Sequence, residues 1–428
     1  MAILHTVNQA LPSSMRYGHF RYYWLALLAG VTGHQMLLQF TMGWLMFEMT
    51  GEAKYLALLG IAISIPALFL NLWGGALADR LEPKFLVAGA QSLSATAVVL
   101  LAVMVMAGRV EVWHVLATAV IIGALQAFDQ PSRSSIFPRL VEREHIVNAV
   151  AMESLVWNGV RVLAPALAGM VIAQWNIHTS MFISAATFYV MAAVISVLRL
   201  RPRPPATGQV IHQIGESLRY VRRHPVFLYI MLLTFCNSMF GMSYILLMPV
   251  IAKDVLDVGA EKVGWLLGAS GVGAICGTWI ISALRPGQPK GLIILGGAAL
   301  YGVAQIFFSV AAWQGLYGVS MALLFVVGIA NSLYLVGGLS TLQELVPDQL
   351  RGRVMGLYGV TWSLGPLGMT QAGTIAQYFG APVAVAAGAA VLVVVALLIF
   401  VLNPDLRELR MGTEERLQPA YAGSRSND

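Results

Sequence analysis

Apolar residues run along this chain in long blocks separated by short polar breaks. A membrane-spanning helix needs about 20 apolar residues, and a window of about that length predicts spans near 22 to 48, 55 to 78, 85 to 107, 112 to 133, 148 to 173 and 178 to 198. Six more follow near 226 to 252, 262 to 284, 291 to 312, 316 to 339, 353 to 377 and 382 to 402. The pattern predicts an all-α membrane protein of twelve transmembrane helices in two six-helix halves, 22–198 and 226–402, with tails at 1–21 and 403–428. The linker between the halves, 199–225, opens with prolines and then sets Ile211, Ile214, Leu218 and Val221 at helical spacing. With Arg219, Arg222 and Arg223 around that stripe, it reads as a short amphipathic helix on an anionic membrane face.

Composition confirms the class. Of 428 residues, 58% are apolar and only 11% charged, against roughly 45–50% and about 25% in soluble chains. A soluble globular protein is excluded, and the loops leave no room for an enzyme-sized domain. Cys236 and Cys276 both fall inside apolar segments, so no disulfide framework is expected. The first twenty residues carry no basic region followed by an apolar core, and no removable signal peptide is expected there. Lysine and arginine stay preferentially in the cytoplasm. With both termini inside, 21 of the 26 lie in cytoplasmic segments, four in outside loops, and Arg161 alone within a span. That asymmetry places both termini in the cytoplasm and accounts for the basic pI of about 9.4 without a nucleic-acid partner.

The halves look duplicated. RLVEREHIVNAV after the fourth span resembles ELVPDQLRGRVM after the tenth, at equivalent places. Parallel repeats around a central site are a transporter architecture. Between the second and third spans, Gly75, Asp79, Arg80 and Lys84 resemble the loop signature of the major facilitator superfamily, although Glu82 and Pro83 stand where Gly and Arg are usual. Within that superfamily the chain is similar to drug and siderophore exporters of the enterobactin-exporter and macrolide-efflux type. The matching stretches are GWLMFEMTG from Gly43, GGALADR from Gly74, AFDQPSRSSIFPRLV from Ala127, YVRRHP from Tyr220 and LQELVPDQLRGRVMGLYG from Leu342. The resemblance implies the major facilitator fold and a cytoplasmic gate built from Gly75, Asp79, Arg80, Lys84, Asp129 and Arg133, with Arg80 able to pair with a carboxylate such as Asp129. Two departures bear on mechanism. The antiporter-type glycine motif survives only as Ala164–Gly169, with alanines at two glycine places, and the fourth span lacks a mid-membrane arginine, its other basic group being His114 at the outer end.

Ionisable residues inside spans are expensive and default to functional hypotheses. Glu153, Trp157 and Arg161 fall at i, i+4 and i+8 on one face of the fifth span, with Glu153 close enough to the cytoplasmic end to exchange a proton with water. The competing reading makes Glu153 an interfacial charge and Arg161 a packing residue. The first span contributes His34, a candidate for proton coupling because imidazole titrates in the physiological range. After it come Gln35, Gln39, Met42 and Met46, a polar and methionine-bearing stripe suited to adaptable apolar ligands. Asn237, Tyr244, Asn331, Tyr334 and Gln371 are further cavity candidates. Gly264, Gly268, Gly273 and Gly277 in the eighth span read as helix packing. No GxxxxGK[ST], HExxH or GxSxG sequence occurs, so nucleotide-driven pumping and hydrolase chemistry have no support. The expected protein is a monomeric, cofactor-free transporter in the bilayer, exporting a small amphipathic molecule against an inward proton gradient. A lysophospholipid or lipid translocator is the alternative.

Overall fold

In the computed structural model, residues 12–201, 219–285, 287–346, 354–355, 357–359, 361 and 365–410 are described. Where it is described, backbone within the predicted spans is helical except at a turn at Met242 and at the end residues Ala107, Leu198, Ala283, Leu284 and Leu316. The first unit carries α1 (Gly18–Met36), α2 (Met42–Thr50), α3 (Lys54–Arg80), α4 (Pro83–Met106), α5 (Val112–Ile136), α6 (Ile146–Gln174) and α7 (Ile177–Val197). The second carries α8 (Pro225–Cys236), α9 (Ser243–Val250), α10 (Ala260–Ser282), α11 (Lys290–Trp313), α12 (Tyr317–Leu345), α13 (Gly365–Phe379), α14 (Ala381–Leu402) and the short α15 (Pro404–Arg407). Chain contacts divide the molecule into two compact units, Met1–Gly51 with Leu58–Ala206, and Glu52–Ala57 with Thr207–Asp428.

Among the described residues, ten helices are long and apolar enough to cross a membrane. The first predicted span is helical from Gly18 but interrupted at mid-length, and the eleventh, 353 to 377, falls in part on residues outside the described set. Local chemistry sets the ends. Gly51 and Gly108 adopt positive φ, as a chain leaving a helix often does, Pro83 opens α4, where its missing N–H loses nothing, and Asn176 caps α7 by accepting from Thr179 N at 3.2 Å. His114 belongs to such a cap as well, its Nδ1 accepting from Glu111 N at 3.0 Å.

The two units repeat one packing scheme. In the first, α4 lies against α5 and α7; in the second, α11 lies against α12 and α14. Both first helices of the halves also break at the same place: Leu37–Thr41 and Asn237–Gly241 each form a π turn. Glycine packing in α10 is as expected, because a side chain on Gly273 or Gly277 would meet the backbone of Phe325 or Ile329 in α12. Cys236 and Cys276 are free thiols.

Ion pairs gather loops at the rim of each unit where the polar breaks meet, called here the basic rim. Glu82 pairs with Arg139 at 3.3 Å, and Arg139 Nε donates to the Arg201 carbonyl at 2.6 Å, tying the α3–α4 loop to the ends of α5 and α7. Glu82, which departs from the signature it sits in, therefore has a local partner. In the second unit, fully buried Lys290 donates to Glu344 at 2.7 Å, the same tie with its charges exchanged. In the linker, Val221 is buried while Arg219, Arg222 and Arg223 are exposed; Ile211, Ile214 and Leu218 lie outside the described residues.

Candidate functional site

A cluster of polar and ionisable side chains in the first unit is drawn from four helices, α1, α4, α5 and α6. Asp129 and Arg133 stand one turn apart near the end of α5, and Arg133 Nε lies 2.9 Å from Asp129 Oδ2, both side chains almost wholly buried. Gln91 of α4 donates to the other carboxylate oxygen at 3.2 Å. The Arg133 guanidinium sits 5.0 Å from the centre of the Trp157 ring, a cation–π arrangement. One turn before Trp157 on α6, Glu153 Oε1 accepts from the hydroxyl of Tyr23 in α1 at 3.2 Å. On the far side of Trp157, the His34 ring meets it edge-on at 6.4 Å, and the Gln126 amide nitrogen lies 3.0 Å from His34 Nε2.

The result is a continuous belt, Gln91, Asp129, Arg133, Trp157 and His34, with Glu153 and Tyr23 beside it. Arg133 acts electrostatically on Glu153 as well as on Asp129. One guanidinium thus serves two carboxylates, and adding a proton to one of them leaves the trio neutral. In a low-dielectric surrounding, where unpaired charge is costly, the fully ionised trio keeps one negative charge in excess, which a proton on either carboxylate would remove.

Several predicted residues are brought into this belt: Asp129, Arg133, Glu153, Trp157 and His34. Arg161 follows Trp157 one turn further along α6. Gly75, Asp79 and Arg80 lie in the last turns of α3, and their side chains are outside the described set. The described partners of Asp129 are Arg133 and Gln91. Lys84 stays at the rim, its ammonium 3.4 Å from the Leu198 carbonyl. Sequence reasoning missed Tyr23, Gln91 and Gln126. The signal for Gln126 was available, since Gln126, Asp129 and Arg133 fall at i, i+3 and i+7 on one face.

The stripe expected on the first span is interrupted. The π turn at Leu37–Thr41 inserts extra backbone, which shifts helical phase between Gln35 and Met42. Thr41 Oγ1 reaches back to the Met36 carbonyl at 3.0 Å and pairs with Ser180 Oγ at 2.8 Å. Gln35 is nearly buried, Gln39 half-buried, and Met42 and Met46 fully buried.

In the second unit, neutral polar groups gather around the π turn at Asn237–Gly241. Tyr301 Oη and Gln305 Nε2 both donate to the Gly241 carbonyl, at 2.9 and 3.1 Å, and Gln371 Nε2 donates to the Met239 carbonyl at 3.0 Å. Asn237 opens that turn fully buried, and Tyr334 stands 6.0 Å from Tyr301, ring to ring. Tyr244 Oη lies 3.3 Å from Ser270 Oγ, while Asn331 is half-buried on α12. Tyr301, Gln305 and Gln371 satisfy carbonyls that a π turn frees from regular helix bonding.

Residues 11–420 match the family model for transmembrane secretion effectors. The chain belongs to that family, within the major facilitator superfamily. This secretion-effector chain is a transporter and not an enzyme. It is 26% identical over 369 residues to the multidrug efflux pump Tap of Mycolicibacterium fortuitum, covering 83% of this chain and 88% of that protein. It is 22% identical over 348 residues to the staphyloferrin A transporter of Staphylococcus aureus (strain NCTC 8325 / PS 47), covering 80% and 86%. Among solved structures, the nucleoside transporter NupG superposes with a TM-score of 0.66 at 13% identity, covering 90% of this chain and 98% of that one. That likeness speaks for the fold alone.

Proposed function

We propose that this transporter exports small amphipathic molecules, drug-like or siderophore-like, from the cytoplasm by alternating access, as a proton antiporter. In this reading it is a twelve-span monomer of the inner membrane with both termini cytoplasmic. The observation that carries the reading is the belt of the first unit, where two carboxylates, Glu153 and Asp129, face one guanidinium beneath an aromatic ring. Asp129 has a short ion pair and a second hydrogen bond, so it is the fixed anion. Glu153 holds a single described hydrogen bond, from Tyr23, which suits a carboxyl group that gains and loses its proton in each cycle. Trp157 and His34 border the same belt, so the coupling group and an apolar ligand surface adjoin. Relatives named for drug efflux and for a siderophore support the direction and the size of cargo.

The test is transport into proteoliposomes with a panel of soluble amphiphiles and fluorescent lysolipids, with and without an imposed pH gradient. Accumulation of a soluble amphiphile driven by the gradient supports the proposal. Leaflet-to-leaflet movement of lysolipid independent of the gradient, with no soluble cargo moved, replaces it with lipid translocation.

A further inference from the structure

α4 and α7 pack side by side, and between them runs an open groove of about 500 Å³. Its lining falls at i, i+3, i+4 and i+7 on both helices, from Phe85 to Ser92 on one and from Tyr189 to Ser196 on the other. The floor is shallow because it is made of Ala88, Gly89, Ala192 and Ala193, and a side chain on Gly89 would meet nothing within 4 Å. Its surroundings are apolar and uncovered: Phe85, Leu93, Leu100, Val190 and Val197 are all exposed, Val197 at 76%. On spanning helices such a surface faces the hydrocarbon of the bilayer.

The two ends differ. Inward along the span, the groove is walled by Tyr189, held in place by a 2.8 Å hydrogen bond between its hydroxyl and Thr96 Oγ1. Toward the basic rim it opens past Phe85 and Ser196, and there the Lys84 ammonium lies 4.9 Å over the Phe85 ring. Exposed Arg199 follows Leu198, the residue whose carbonyl Lys84 approaches. Glu82, the neighbouring acid, is engaged by Arg139, which leaves a net positive mouth. From Phe85 to Ser92 the helix rises about 10 Å, less than the ~15 Å depth of one leaflet's hydrocarbon. The trough therefore fits the upper part of an acyl chain with its headgroup at the rim.

We propose that this groove is a binding site for one anionic glycerophospholipid of the surrounding bilayer, with an acyl chain along Gly89 and Ala193 and the phosphate held by Lys84 and Arg199. Cations at a membrane rim attract anionic headgroups by about 1 kcal/mol each, or about fivefold in affinity.

The experiment is native mass spectrometry of the full-length protein, with thermal unfolding measured in parallel on adding phosphatidylglycerol or phosphatidylcholine. Wild type should retain one phosphatidylglycerol in preference to phosphatidylcholine and gain more thermal stability from it. Lys84→Gln and Arg199→Gln should each cut that preference about fivefold. Gly89→Leu fills the trough from a position where the added atoms meet open space, and should abolish retention of both lipids with unchanged helicity. Gly89→Ala leaves room for a chain and should retain phosphatidylglycerol. Equal retention of the two lipids by wild type, undiminished selective retention by Gly89→Leu, or displacement of the bound lipid by a transported amphiphile would each overturn the assignment.

Discussion

Glu153 and Asp129 are acids of the same unit, yet their surroundings differ. Asp129 is clamped by Arg133 and Gln91, whereas Glu153 answers to the Tyr23 hydroxyl. Glu153→Gln is expected to lower gradient-driven transport at least tenfold while preserving folding and downhill exchange, as read by transport with and without a pH gradient. Tyr23→Phe keeps the carboxyl group and removes its partner, so it should move the pH midpoint of transport without abolishing it. Arg133→Ala strands a buried carboxylate and should destabilise the protein by about 3–5 kcal/mol in thermal unfolding, whereas the double change Asp129→Leu with Arg133→Met should be far milder. Equal losses in both proteins would show that the pair is not a closed ionic unit. Much of this was legible from single residues: Glu153, Trp157 and Arg161 stand out because charge inside a span is rare. Tyr23 was not, since a tyrosine near a span end is common and only the packing of α1 on α6 gives it a carboxylate to meet.

Helices carry the next level. Hydropathy located ten of its twelve expected spans among the described residues, because a bilayer sets one approximate length for a crossing helix. It was blind to the π turns at Leu37–Thr41 and Asn237–Gly241, since an extra residue in a turn changes phase and not hydropathy. That is why the polar stripe drawn from Gln35 to Met46 at regular spacing does not survive as one face. The C-terminal strap illustrates the same limit. Asn403 caps α15 by accepting from Leu406 N at 3.0 Å, Leu406 and Leu409 are buried, and the Leu409 carbonyl accepts from Gly291 N at 3.0 Å. A side chain on Gly291 would collide with the Leu406 carbonyl, whereas one on Gly296 in the same helix meets open space. Gly291→Ala should therefore lower stability by about 1–3 kcal/mol, and Asn403→Ala by about 1 kcal/mol. Gly296→Ala should be neutral or stabilising in the same thermal unfolding measurement. A Gly291→Ala protein as stable as wild type would mean that the strap does not bear on the start of α11.

Over the whole molecule, repetition and asymmetry coexist. Each unit pairs its helices alike, breaks its first span with a π turn and ties its rim with an ion pair, yet only the first assembles this ionisable belt among the described residues. The second surrounds its π turn at Asn237–Gly241 with tyrosine and glutamine, of which Tyr301, Gln305 and Gln371 bond backbone carbonyls. The proposed proton antiport accordingly rests on one unit. The likeness of the halves was visible in two short loop segments, but the difference between their polar groups was not, because Asn237, Tyr334 and Gln371 read from sequence as ligand-facing groups just as Gln35 and Gln39 do. The most direct test of proton-coupled export compares wild type and Glu153→Gln in proteoliposomes for one transported amphiphile, with and without an imposed pH gradient. The account predicts uphill accumulation in wild type that collapses with the gradient, and only downhill equilibration in the variant. Uphill, gradient-dependent accumulation by Glu153→Gln at the wild-type rate would contradict it.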